Sequence, residues 1–372
     1  MIKINITGDF YVSPSYINDF INEDSISDEI SHFFRNADLN ITNLEAPIVS
    51  KETPREKFGP NLFTSEKCVP LLKRLNISMV TLANNHIMDQ GDEGLYSTLE
   101  VLNDHGIGHL GANSNLVKAS DYFIKNIEDL KIGFLNIAEN EFSNTTGDYP
   151  GAAPLDIMGN TLSIQNLKKR VDKVILIIHG GTEMHTYPSP RFKKTLRYFA
   201  EQGADAIIAH HTHRYNGFEI YNDIPIVYGT GNFIFPKLNS DFLWNLGVIA
   251  HLGIEKNKPI TLEIIPISLE MNAKINLSFL SLENNEKFKT VENDKKEVIK
   301  DDNLLEEKYS LFVKNVENQY LHYLQPYTSK YLHKLYSMGV IPSFLQSKVK
   351  RLLYLNLIRC EAHRDIILKI LK

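Results

Sequence analysis

The stretch VILIIH, residues 174–179, sets five apolar residues in a row and stops on a histidine. A strand with one wet face alternates apolar and polar residues, so an unbroken β-branched run marks a strand buried on both faces. Comparable runs recur at IKINIT (2–7), LNITNL (39–44), SMVTLA (78–83), IGFLNIA (132–138), AIIAH (206–210) and IPIVYGTG (224–231). Between them, Glu66 to Leu75, Glu93 to His105 and Arg191 to Gln202 repeat apolar residues at helical spacing. Two of these segments run into Gly106 and Gly203, where a helix C-cap favours positive φ. The alternation predicts an α/β domain over residues 1–270 whose sheet is covered on both faces.

After Glu270 the texture changes. The stretch ENNEKFKTVENDKKEVIKDDN (283–303) is charged and poor in branched apolar residues, so 271–303 reads as a charged connection or a solvated helix face. Residues 304–372 read as helical throughout, with the aromatic stretch YLHYLQPYTSKYLHKLY (320–336) followed by a leucine-rich segment. From Ile341 onward that segment carries seven Lys or Arg against Glu361 and Asp365. It suits packing of leucines on the main domain, with contact to a membrane surface or a partner as the alternative.

Composition narrows the function classes. A chain of 372 residues with 43% hydrophobic content can bury a large core. Its net charge of -5 supplies no basic field for nucleic acid, and no basic stripe with interleaved aromatics crosses the strand-rich region. Cys68 and Cys360 lie far apart and make no zinc-type or disulfide pattern, which fits a reducing compartment. The first residues, MIKINITGDF, enter a strand directly with no signal-peptide pattern, and no run is long enough to span a bilayer. The expected location is the cytoplasm.

Residues capable of chemistry gather where the apolar runs stop. Asp9 follows INITG, Glu45 follows NITNL, and Asn84, Asn85 and His86 follow MVTLA. His179 closes VILII, and His210, His211 and His213 follow AII. Loops at the carboxyl ends of strands form the ligand crevice of α/β sheets, so these residues can converge. In extended backbone His211 and His213, two apart, would face the crevice together while His210 points away. A mixture of His, Asp, Glu and Asn without thiol suits manganese, iron or zinc, and two close ions could activate a water against a phosphoryl group. Singly, Asn84 and Asn85 also fit turn or cap positions, and Asp9 after Gly8 fits an ordinary turn.

The combination GDF at Asp9, NLEAPI at Glu45, LANNHIMDQG from Leu82, HGGTEMH from His179, AHHTHR from Ala209 and YGTGNFIF from Tyr228 resembles the CapA family. These are poly-gamma-glutamate capsule biosynthesis proteins, a branch of the calcineurin-like metallophosphoesterases. The resemblance covers residues 1–270 and implies a layered β-sandwich flanked by helices, with the C-terminal helices as an extension. It implies that Glu45 bridges one or two divalent ions, with Asp9 and His213 on one and Asn85, His179 and His211 on the other. His86 would be the general acid facing substrate and Asp89 its hydrogen-bonding partner, while Glu183 and His185 orient ligands or substrate. Gly229 and Gly231 would allow tight backbone beside the site, Asn232 would bind substrate or hold a loop, and His210 would support the ligands.

Two positions depart from the broader phosphoesterase pattern. Tyr11 stands where a second metal-binding histidine is usual, and Glu45 replaces the usual bridging aspartate. Both weaken the Asp9 and His213 ion. The implied function is hydrolysis in the synthesis of a capsule or other surface polymer, on a phosphoester or an amide bond of a precursor. The alternative is a non-catalytic assembly factor that docks capsule synthesis proteins through the C-terminal helices. CapA relatives are often membrane-anchored and outward-facing, so a capsule role without such an anchor implies work on a precursor in the cytoplasm or at the inner membrane face.

Overall fold

The computed structural model describes residues 1–21, 25–271, 275–324, 331, 335, 338, 340 and 347–371. Its strands are β1 (Ile2–Phe10), β2 (Leu39–Leu44), β3 (Met79–Thr81), β4 (Gly108–Leu110), β5 (Ala112–Asn113), β6 (Phe123–Ile127), β7 (Leu130–Ala138) and β8 (Gly151–Ala152). They continue with β9 (Lys173–His179), β10 (Ala206–His210), β11 (Tyr215–Tyr221), β12 (Ile224–Thr230), β13 (Asn232–Ile234), β14 (Leu246–Ile254), β15 (Thr261–Met271) and β16 (Ile275–Phe279).

One sheet runs β16-β15-β14-β1-β2-β3-β4, with β13 also on β1; the other runs β11-β12-β10-β9-β7-β6; β5 and β8 form a separate pair. In each large sheet a parallel centre carries antiparallel strands at its edge, as at β1 with β14 and β7 with β6. The two sheets face each other. Ile4, Ile6 and Ile41 from the first meet Phe134, Ile175, Ile177 and Ile208 from the second in one buried core.

The VILII run shows why no polar residue is tolerated there. Ile175 and Ile177 enter the core between the sheets, whereas Val174, Leu176 and Ile178 lie in the outer core. That outer core includes Ile164 and Leu167 of helix Ile157–Lys168 and Leu196 and Phe199 of helix Pro190–Glu201. Outside the first sheet, helices Asp28–Arg35, Val69–Arg74 and Gly91–Asp104 bring in Ile30, Leu72 and Leu95. The result is a sandwich of two sheets between helical layers.

The expected helices occur with small boundary shifts. Glu66 to Leu75 is a short tight turn, Glu66–Cys68, leading into Val69–Arg74, while Glu93 to His105 begins at Gly91. Gly106 and Gly203 have φ of 67° and 116°, the left-handed backbone expected beyond a helix end.

Past Glu270 the first sheet continues into β16, and the charged stretch forms helix Leu282–Lys300. Helices Asp302–Leu324, Lys348–Arg359 and Glu361–Ile370 then share a cluster of Tyr309, Val313, Tyr320, Leu353, Leu357 and Ile366. Much of YLHYLQPYTSKYLHKLY lies outside the described residues. These helices touch the sandwich through Glu361, which accepts from Asn140 N and Nδ2 at 3.0 and 2.7 Å, and through an Asp365–Arg191 ion pair. Both cysteines are free thiols and buried. Among the described residues no helix is long and apolar enough to cross a membrane.

Candidate metal centre

The parallel strands β1, β2, β3, β9 and β10 end on the same side of the sandwich, and each delivers a polar residue there. Asp9 lies near the end of β1, Glu45 directly follows β2, and His179 closes β9. Asn85 and His86 sit in the loop after β3, whose Leu82 and Ala83 amides donate to Asn136 Oδ1 at 3.2 and 2.7 Å. Asn84 organises that loop: its side chain donates to Leu44 O, and it accepts from the His86 amide at 3.1 Å.

His211 and His213 converge for a reason other than strand alternation. Strand β10 ends at His210, and His211 and His213 have φ of 90° and 52°. A left-handed turn, which disfavours β-carbon-bearing residues, therefore aims both rings into the crevice. His210 remains in the strand, fully buried and outside both ligand groups described below.

Two groups of donors share Glu45. Glu45, His179 and His211 form one; Asp9, Glu45 and His213 form the other. His179 Nε2 lies 3.5 Å from Glu45 Oε1, 3.0 Å from His211 Nδ1 and 3.0 Å from Asn85 Oδ1. On the other side, His213 Nδ1 is 3.6 Å from Asp9 Oδ2, and His213 Nε2 is 3.9 Å from Glu45 Oε1. Donors that share an ion at roughly 2.0–2.2 Å lie within about 4.4 Å of each other. The carboxylate–imidazole separations are too long for hydrogen bonds yet fall inside that limit.

Both carboxylate oxygens of fully buried Glu45 have no hydrogen-bond partner. A buried carboxylate without a partner is strongly disfavoured, and a divalent cation between the two histidine sets would satisfy it. The residues present thus fit a metal. Supporting bonds fix the ligands: Asn43 Nδ2 donates to Asp9 Oδ1 at 2.8 Å and stands 3.2 Å from His179 Nδ1. Asn232 Oδ1 lies 2.9 Å from His213 Nδ1, while its Nδ2 donates to Trp244 O. Asn232 therefore holds both a ligand and a loop. Gly231 has φ of 69° and its carbonyl accepts from the Asp9 amide; a β-carbon on Gly8 would stand 1.8 Å from that oxygen. Tyr11 presents its ring to Phe235, whose own ring meets His213, so an aromatic wall flanks that side.

Burial dominates the electrostatics. It pushes the Asp9 carboxyl up to about 7 against hydrogen bonds from Asn43 and the His211 amide, and it drives Glu45 well above the usual carboxylate range, helped by the charge of Asp9. Burial also lowers His211 to about 3 and His213 to about 4. Between the ordinary histidine value near 6.5 and about pH 8, the raised carboxyls of Asp9, Glu45 and Glu141, the last pushed up to about 8, hold protons in the folded chain that the unfolded chain has already released. Stability of chelator-treated protein should therefore fall as pH rises from about 6.5 to 8, because the folded state must give up protons there. Added divalent metal should suppress the fall; melting curves across that range check it.

His86 is 7% exposed, and its Nδ1 lies 2.6 Å from Asp89 Oδ2. Asp89 also accepts from the Leu62 amide at 2.6 Å and pairs with the buried ammonium of Lys57. Burial and the Lys57 charge lower His86, and Asp89 engages its Nδ1 rather than its Nε2. Glu183 is exposed, and its charge raises Asp9, Glu45 and Glu141. His185 packs against Tyr187, Tyr309 and Phe312, which joins it to helix Asp302–Leu324.

Sequence reasoning missed Asn43, Lys57 and Glu141. Glu141 Oε1 stands 3.5 Å from His211 Nε2. It follows IGFLNIA by three residues, so the strand-end rule applied to β7 could have found it. Lys57 lies in a loop without periodicity and carried no signal.

The family described as Bacterial capsule synthesis protein PGA_cap matches residues 3–237. The PGA biosynthesis protein CapA of Bacillus subtilis (strain 168) is 27% identical over 290 residues, spanning 72% of this chain and 74% of that protein. The capsule biosynthesis protein CapA of Bacillus anthracis is 23% identical over 284 residues, spanning 72% and 68%. Among solved structures, a hypothetical protein from Thermus thermophilus aligns with a TM-score of 0.47 at 14% identity, over 71% of this chain and 98% of that one. A putative 5'-nucleotidase from Staphylococcus aureus aligns with a TM-score of 0.43 at 14% identity, over 78% and 58%.

Proposed function

The chain belongs to the bacterial capsule synthesis protein family PGA_cap, and from that premise we propose that it is a divalent-metal-dependent hydrolase acting on a phosphoester of a capsule or surface-polymer precursor. The observation that carries the reading is Glu45, a buried carboxylate with no hydrogen-bond partner, set between two histidine groups. Asp9, Glu45, Asn85, His179, His211 and His213 would hold the metal. When bound, such ions acidify a water and draw charge from a phosphoryl oxygen.

The chain's own residues supply the rest. His86, tied through Nδ1 to Asp89, keeps Nε2 for the substrate; an anionic substrate raises its affinity for a proton, which it can then give to the leaving oxygen. Lys57 neutralises Asp89 and adds positive charge beside His86. Asn232 fixes the His213 ring and with it the edge of the substrate pocket.

Elemental mass spectrometry of purified protein tests the metal. Wild type reloaded with manganese, iron or zinc should retain one or two equivalents at this centre, and His211→Ala should lose metal there. Equal content in both proteins would remove the basis for the hydrolase reading.

A further inference from the structure

A second group of ligand-type atoms lies beside this centre, built by the C-terminal helices. Cys360 separates helices Lys348–Arg359 and Glu361–Ile370, and His363 lies three residues on, in the first turn of the second helix. Cys360 is the extended cap residue and His363 the third helical residue, so both stand at the start of that helix. Opposite them stands Glu141, in the loop after β7, and one donor atom from each of the three lies within 4.8 Å of the others. Cys360 is 1% exposed and Glu141 9%.

We propose that Glu141, Cys360 and His363 form a second, thiolate-containing divalent-metal site, suited to zinc, that fastens the C-terminal helices to the sandwich. The geometry supports it without using the first centre. Cys360 Sγ lies 3.9 Å from Glu141 Oε1, long for a thiol hydrogen bond. Tetrahedral zinc with sulfur at about 2.3 Å and oxygen at about 2.1 Å places the two donors ~3.6 Å apart, so a few tenths of an ångström of closure suffices. Tyr320 Oη lies 2.6 Å from His363 Nδ1, which fixes the ring and frees Nε2 as the ligand nitrogen. The buried Asn356 side chain hydrogen-bonds to Glu141, and its own Oδ1 has no partner.

Thiolate together with imidazole and carboxylate selects zinc, or cobalt in its place, over magnesium or calcium. Metal binding moves a proton from the Cys360 thiol to solvent and forms a sulfur–metal bond; no oxidation is involved. The first centre contains no sulfur ligand, so the two sites have different optical signatures.

The full-length protein reloaded with cobalt(II) gives the test. A thiolate-to-cobalt charge-transfer absorption in the near ultraviolet should appear in wild type and in Asp9→Asn, and vanish in Cys360→Ser. Cys360→Ser and His363→Gln should each bind one equivalent less than wild type. Absence of the absorption in wild type, or an unchanged metal count in both variants, would overturn the proposal. An absorption that persists while Asp9→Asn changes nothing else in metal content would support this site and count against the reading of the first centre.

Discussion

Changing Glu45 to glutamine should release metal from both donor groups at once, whereas His213→Ala should release it from one. Glu45 is the only ligand common to the two groups described, and the substitution keeps its shape while removing the charge that balances the cations. The stability readout has an unusual sign. Without metal, the variant should melt above wild type at pH 8, because wild type carries a buried carboxylate without a partner while the amide is neutral. Compared in a Cys360→Ser background, which removes the second site, and with metal at a hundredfold excess over its dissociation constant, the protein with Glu45 gains about 2.7 kcal/mol and the glutamine variant gains nothing, so the order of melting temperatures reverses. Calorimetry with and without chelator checks the crossing; a variant that still gains stability from metal would show that Glu45 is not the bridge.

His86→Ala should leave metal content unchanged and lower turnover of a phosphoester probe such as p-nitrophenyl phosphate by roughly 10²–10⁴-fold. That corresponds to about 3–5 kcal/mol in the barrier. The loss should appear in kcat, because the imidazole contributes when the leaving oxygen takes its proton. The fold tolerates the change: Asp89 keeps the Leu62 amide and the Lys57 ammonium after the ring is gone. Turnover within threefold of wild type, at equal metal content, would remove His86 from the acid role.

The parallel strands were legible because they are buried on both faces, as at Val174–Ile178, where every residue must be apolar. Other strands hid in ordinary sequence. Strand β15 contains Pro266, which reads as a breaker. It pairs with Val248 of β14 and lies just outside the β16 ladder, which begins at Ile267.

The donor set around Glu45 was legible for the same topological reason, since each member stands at a strand end. The convergence of His211 and His213 was read through the wrong backbone geometry: in the folded chain a left-handed turn does the aiming, and residue types alone do not announce it. Cys360 and His363 lie in helical sequence with no strand end to mark them, and Cys360 is 219 positions from Glu141. A contact of that sequence separation leaves no periodic trace.

The contact between Glu361 and Asn140 also fixes an order of events on the ribosome. Sheet pairing of β1 needs β14, so the sandwich can close once residue 254 has emerged, and every donor from Asp9 to His213 is by then in the chain. Glu361 follows about a hundred residues later, a gap of roughly 5–20 s at common rates of synthesis. During that interval the crevice stands open on the side that Cys360 and His363 later occupy. Any ion held by the strand-end donors would then be able to enter from solution before the last helices pack beside them.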